Sequence, residues 1–128
     1  MESFEAFCKK NYKGEDRSMS FNKYLFKLMR EKNIEGPSLY NKVNMTRQTY
    51  SKILSDQMEP SLTNAVKLAI ALKCTNTECK TLLKKLGYTL SSSSKFALVI
   101  RYCLENKIYD YYKVNDLLMK YGCNPLDK

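Results

Sequence analysis

Apolar residues recur along most of the chain at spacings of three and four, the period of a helix with one buried face. Phe21, Tyr24, Leu25, Leu28 and Met29 follow Ser20, whose hydroxyl suits a helix N-cap. This helix runs to about Lys32 and stops ahead of Gly36-Pro37. Pro37 fits the first helical position, so the pattern predicts a short helix over 38–43. Asn44 stands where the chain must turn, and asparagine tolerates the left-handed backbone better than most residues. Thr46 then caps a helix with Tyr50, Ile53 and Leu54 on one face, and the Gln-Met-Glu-Pro run at 57–60 breaks it. Ser61 caps the next, whose apolar face is Leu62, Ala65, Val66, Leu68, Ala69 and Leu72. Thr75 or Thr77 begins a fifth with Leu82, Leu83 and Leu86, closed by Gly87 in the position glycine favours after a helix.

The four serines at 91–94 read as a loop and a cap ahead of Phe96, Val99, Ile100, Cys103 and Leu104. A last helix carries Val114, Leu117, Leu118 and Tyr121 and ends at Gly122. At the other end, Phe4, Phe7 and Cys8 suggest a short helix, and residues 13–17 read as a linker. No segment alternates with period two for long enough to be a strand. The expected fold class is all-α, with an extension over 1–18, a main domain over 19–88 and a helical extension over 89–128. That last part is expected to pack on the same core or on a dimer partner.

Composition narrows the function classes. The 128 residues are 44% apolar and 27% charged, with only 4 glycines and 3 prolines, which is ordinary globular composition rather than disorder. The most apolar stretch, 65–72, contains Lys67 and is far shorter than the roughly 20 residues a membrane span requires. The first residues, Met-Glu-Ser-Phe-Glu, have neither the basic start nor the apolar core of a signal peptide, so a cytoplasmic location is expected. Five cysteines without a CxxC pair, and no histidine, give no metal-ligand spacing. Reduced cysteines acting as small core residues are the expectation, with no metal and no cofactor. The missing histidine also removes the commonest general base, and a non-enzymatic role is expected. The net charge of +9 favours a polyanionic partner, although the basic excess is uneven. Residues 1–60 carry 11 basic against 8 acidic side chains, and 61–128 carry 11 against 5.

One stretch is more specific. Leu25, Leu28, Ile34, Leu39, Val43, Met45, Thr46, Arg47, Thr49, Tyr50, Ser51, Ile53, Pro60, Ser61, Leu62, Leu68, Ala69, Ala71 and Leu72 stand at the spacing of a helix-turn-helix. The segment resembles the phage-repressor-type (Cro and lambda-repressor-like) family. The resemblance implies a five-helix DNA-binding domain, to which about two C-terminal helices and a short N-terminal helix are added here. It implies that the helix after Thr46 lies in the major groove of double-stranded DNA. Carried over by position, Thr46, Arg47, Gln48, Thr49, Ser51, Lys52 and Ser55 are then the DNA-binding residues. Arginine reads guanine and glutamine reads adenine, because each makes two hydrogen bonds to one base. Thr46, Ser51 and Lys52 suit phosphate instead. Three positions depart from the family pattern: Gly36 stands where the family often has glutamine, Tyr40 where it usually has alanine, and Asn44 where it usually has glycine. A tyrosine at 40 must open the angle between the two helices or turn outward.

Gly87-Tyr88, Ser93-Ser94-Lys95-Phe96 and Tyr109-Asp110 are similar to a helix-turn-helix module appended to larger bacterial cytosolic proteins. Tyr109, Tyr111 and Tyr112 cannot all point inward from one helix, which makes them candidate interface residues. The sequence therefore predicts a sequence-specific double-stranded DNA binder, a homodimeric transcriptional regulator. The alternative is a protein-interaction module that keeps the fold, contacts a protein partner and does not read DNA.

Overall fold

The computed structural model describes residues 1–11 and 20–127. The linker expected at 13–17 lies outside them. Among the described residues there are eight helices and no strand: α1 (Phe4–Asn11), α2 (Phe21–Lys32), α3 (Gly36–Asn41), α4 (Arg47–Leu54), α5 (Leu62–Ala71), α6 (Asn76–Lys84), α7 (Lys95–Glu105) and α8 (Tyr111–Lys120). None is long and apolar enough to cross a membrane.

Side-chain oxygens start most of these helices by accepting backbone N–H groups that have no partner within the helix. Ser20 accepts from Lys23, Thr46 from Thr49, Ser61 from Asn64 and Ser94 from Ala97. Of the two threonines in position to begin α6, Thr75 does so, in a capping box with Glu78. Asp110 caps α8 with bonds from Tyr112 and Lys113.

Of two boundaries, the end of α2 falls at Lys32 as expected and the start of α3 differs. α2 closes on Asn33, which takes the left-handed conformation at φ 56° and returns its N–H to Arg30 and Met29, so the stop precedes Gly36-Pro37. α3 begins at Gly36 rather than 38, after an extended Glu35 whose side chain makes no cap bond.

α5 lies at the centre. Every residue from Ala65 to Leu72 is buried, because α3, α6 and α8 all pack on it. The core joins Leu25 and Leu28 of α2, Leu39 of α3, Ile53 of α4 and Leu82 and Leu83 of α6 into one continuous cluster. The same cluster takes in Val99, Ile100 and Cys103 of α7, Val114 and Leu118 of α8, and Leu126 beyond it. α7 and α8 thus pack on each other and within the chain, α7 against α6 and α8 against α5.

The cysteines divide by environment. Cys74, Cys79 and Cys103 are buried in this cluster, and Cys8 and Cys123 are half-buried; all five are free thiols. Among the described residues, no group of three or more Cys, Asp or Glu side chains is placed to hold a metal ion.

Candidate nucleic-acid interface

The turn between α3 and α4 is fixed from inside and from its own backbone. Val43 and Met45 are buried on either side of Asn44, which adopts φ 53°. Met45 N–H donates to the Tyr40 carbonyl at 3.0 Å, closing the turn. Thr46 then starts α4 with a 3.1 Å bond from Thr49 N–H to its Oγ1.

The inner face of α4 is held by Tyr50 and Ile53, both buried. Tyr50 also explains two of the departures from the family pattern. Its ring lies 5.1 Å from that of Tyr40, tilted by 40°, so Tyr40 is half-buried in an aromatic contact that joins α3 to α4. On its other side Tyr50 covers Gly36, and its hydroxyl reaches Met29 Sδ at 3.6 Å. Burial, and then Tyr40 beside it, push the Tyr50 phenol above its ordinary pKa.

The far end of α4 is clamped by a residue that sequence reasoning missed. Asn22 of α2 directs its amide nitrogen at the carbonyls of Ile53 (3.1 Å) and Leu54 (3.3 Å) and at Asp56 Oδ1 (2.8 Å). These carbonyls are among the last four of the helix, which have no partner inside it. Asp56 follows in the left-handed conformation at φ 61°, and the chain folds back so that Gln57 N–H donates to Lys52 O at 2.9 Å.

The outer face is thereby set. Arg47, Gln48, Ser51, Lys52 and Ser55 are exposed and together line one shallow, open concavity on the surface of α4. Gln57, exposed and brought back by the turn at Asp56, completes its wall. Thr46 and Thr49 stand apart from this group. Thr46 Oγ1 lies 3.0 Å from Thr49 Oγ1, and Thr49 is half-buried, so both hydroxyls are engaged in starting the helix. The arrangement offers arginine, glutamine and lysine donors, with serine hydroxyls between them, on a helix anchored at both ends. It is suited to hydrogen-bonding a polyanion that carries readable edges.

The three tyrosines proposed for an interface separate. Tyr111 is sealed in the core, with its hydroxyl donating to Asp127. Tyr109 is half-buried and donates to the Cys74 carbonyl at 3.0 Å. Asp110 starts α8 between them and turns Tyr112 to the surface, where it is 72% exposed. Tyr111 is thus corrected from interface candidate to core residue, since α8 needs an inward side chain at that position. Leu98 and Tyr102, one turn apart on α7, are exposed as well.

Residues 38–78 match the family described as Helix-turn-helix, a span that runs from α3 into α6 and includes the whole of α4. No curated protein and no solved structure matches the chain.

Proposed function

We propose, from the match of residues 38–78 to the Helix-turn-helix family, that the protein binds specific double-stranded DNA sequences and regulates transcription in the manner of a phage repressor. In this reading α4 enters the major groove. Arg47 and Gln48, in its first turn, face base edges, and Lys52 and Ser55 face the sugar–phosphate backbone. The observation that carries the reading is the division of α4 into two faces. Tyr50 and Ile53 lock one side into the core, and the polar, exposed side chains of Arg47, Gln48, Ser51, Lys52 and Ser55 share the other.

One recognition helix makes too few base contacts for a regulator, and pairing two half-sites supplies the rest. We propose a homodimer for this reason, working in the cytoplasm without cofactor or catalysis. The exposed Leu98, Tyr102 and Tyr112 also support a second reading, in which α7 and α8 present an apolar face to a different protein and α4 reads no DNA.

Selection of a randomised duplex pool by the purified protein at near-physiological salt separates the two. A recovered motif, palindromic for a dimer, is the expected result. Binding that enriches no sequence and vanishes as salt rises would overturn the regulator in favour of the protein-interaction module.

A further inference from the structure

The segment after α8 returns to the helix-turn-helix. Leu126 is buried, and its N–H donates to Oδ1 of the buried Asn115 at 2.7 Å. This anchors the next residue, Asp127, whose Oδ1 meets groups from three elements. The Tyr111 hydroxyl of α8 donates to it. Asn44 Nδ2, in the turn between α3 and α4, donates at 3.2 Å. Lys67 Nζ of α5 lies 3.8 Å away, and 5.7 Å from the centre of the Tyr111 ring. Lys67 is buried, and Asp127 is the carboxylate that compensates it.

The geometry points to Asp127 as a positioning residue for the DNA-reading unit: it clasps the turn at Asn44 to α5 and α8, and so ties the pose of α4 to the C-terminal extension. This rests on the DNA-binding reading above. Asn44 carries the left-handed backbone that reverses the chain between the two helices. A hydrogen bond on its side chain therefore acts on the relation of α3 to α4. The clasp gives α8, which the matched span does not reach, a hold on the turn that leads into α4.

The test compares Asp127→Ala, which removes the acceptor that asparagine would keep, with Asn44→Gly, which keeps the left-handed turn and removes the donor. The double substitution Lys67→Met with Asp127→Ala leaves no buried ammonium unpaired and guards against a simple folding loss. Specific DNA affinity is expected to fall about three- to tenfold in each, with an unchanged salt slope. Combining Asn44→Gly with Asp127→Ala is expected to add nothing further. Amide hydrogen exchange at Met45, whose N–H is bonded to the Tyr40 carbonyl, is expected to quicken while the buried α5 amides hold. Unchanged exchange at the turn, or strictly additive losses, would overturn the clasp. Tighter binding of Asp127→Ala with a steeper salt slope would overturn it too, because Asp127 would then act by repelling phosphate. Should the wild-type protein enrich no DNA sequence, the regulator reading fails, and the exchange measurement still decides whether Asp127 holds the turn.

Discussion

A Cβ placed on Gly36 would stand 3.1 Å from Cε2 of Tyr50 and 3.3 Å from its hydroxyl oxygen. The first residue of α3 and the anchor of α4 thus share one contact, which the absence of a side chain at 36 makes possible. Glycine within a helix ordinarily costs up to about 1 kcal/mol relative to alanine, so Gly36→Ala has a gain to set against the crowding. The two substitutions are expected to couple. Gly36→Ala should be more favourable in a Tyr50→Leu background than in the wild type, by about 0.5–1 kcal/mol in a denaturation cycle. Additive effects would mean that the ring moves aside freely.

On DNA, the base-facing and phosphate-facing residues should behave differently. Arg47→Ala and Gln48→Ala are each expected to cost about 1–3 kcal/mol of specific affinity and to relax preference at single positions of the site. Lys52→Ala should weaken all sequences alike and lower the salt slope by about one. Titrations at several salt concentrations against the selected site and point variants of it measure both. Equal affinity of Arg47→Ala and Gln48→Ala with the wild type would remove α4 from the interface.

The Asn22 clamp gives a prediction about stability. Asn22→Ala leaves the Ile53 and Leu54 carbonyls without their side-chain donor, at an expected cost of about 1–2 kcal/mol. Asn22→Asp is expected to cost more at neutral pH, because an acceptor-only carboxylate would face two carbonyls and Asp56. Thermal unfolding of the three proteins ranks them. An aspartate variant as stable as wild type would show that the end of α4 does not depend on this donor.

Alkaline pH should destabilise the fold through its thiols. Burial pushes Cys74 and Cys79 up, Cys79 to about 12, and Cys103 moves the same way. The unfolded chain releases these protons from about pH 8.5 upward, whereas the native state keeps them. Their contribution is therefore complete below that pH and is lost as pH rises toward the folded values, by about 1.4 kcal/mol per unit for each thiol across the window. Lys67 and Lys85, lowered by burial, act in the opposite sense, but they are two groups against three. Urea midpoints should fall between pH 9 and 10.5, and less steeply in Cys79→Ala. A flat profile would refute this account.

Much of the fold is legible in the sequence because it is written locally. Ser20, Thr46, Ser61 and Ser94 each act within one helical turn, so a reader of neighbouring residues finds them. The exposed face of α4 follows from periodicity once Tyr50 and Ile53 are assigned inward. What escapes is set by distant approach or by an unusual backbone. Asn33, Asp56, Lys73 and Lys107 all take positive φ without being glycine, and two of them are lysines, a residue type that marks no stop by composition alone. Asn22 reads as an ordinary polar position within α2 until α4 is brought beside it. Gln57 reads as part of a break, and only the reversal at Asp56 returns it to the outer face of α4. Of the adjacent tyrosines, arithmetic dictates that one must leave the core, but the cap at Asp110 decides which.

The buried α5 presents a problem that burial itself does not solve. A helix apolar on nearly every side gains similar hydrophobic free energy at many rotations about its axis, so tight packing leaves its angular setting weakly chosen. Lys67 breaks that degeneracy. Only one rotation brings its ammonium to Asp127 and over the Tyr111 ring, and any other leaves a charge stranded among leucines and alanines. Its contribution is uniqueness rather than strength: a methionine at 67 would leave the chain as stable or more so, yet freer to settle in several closely related packings.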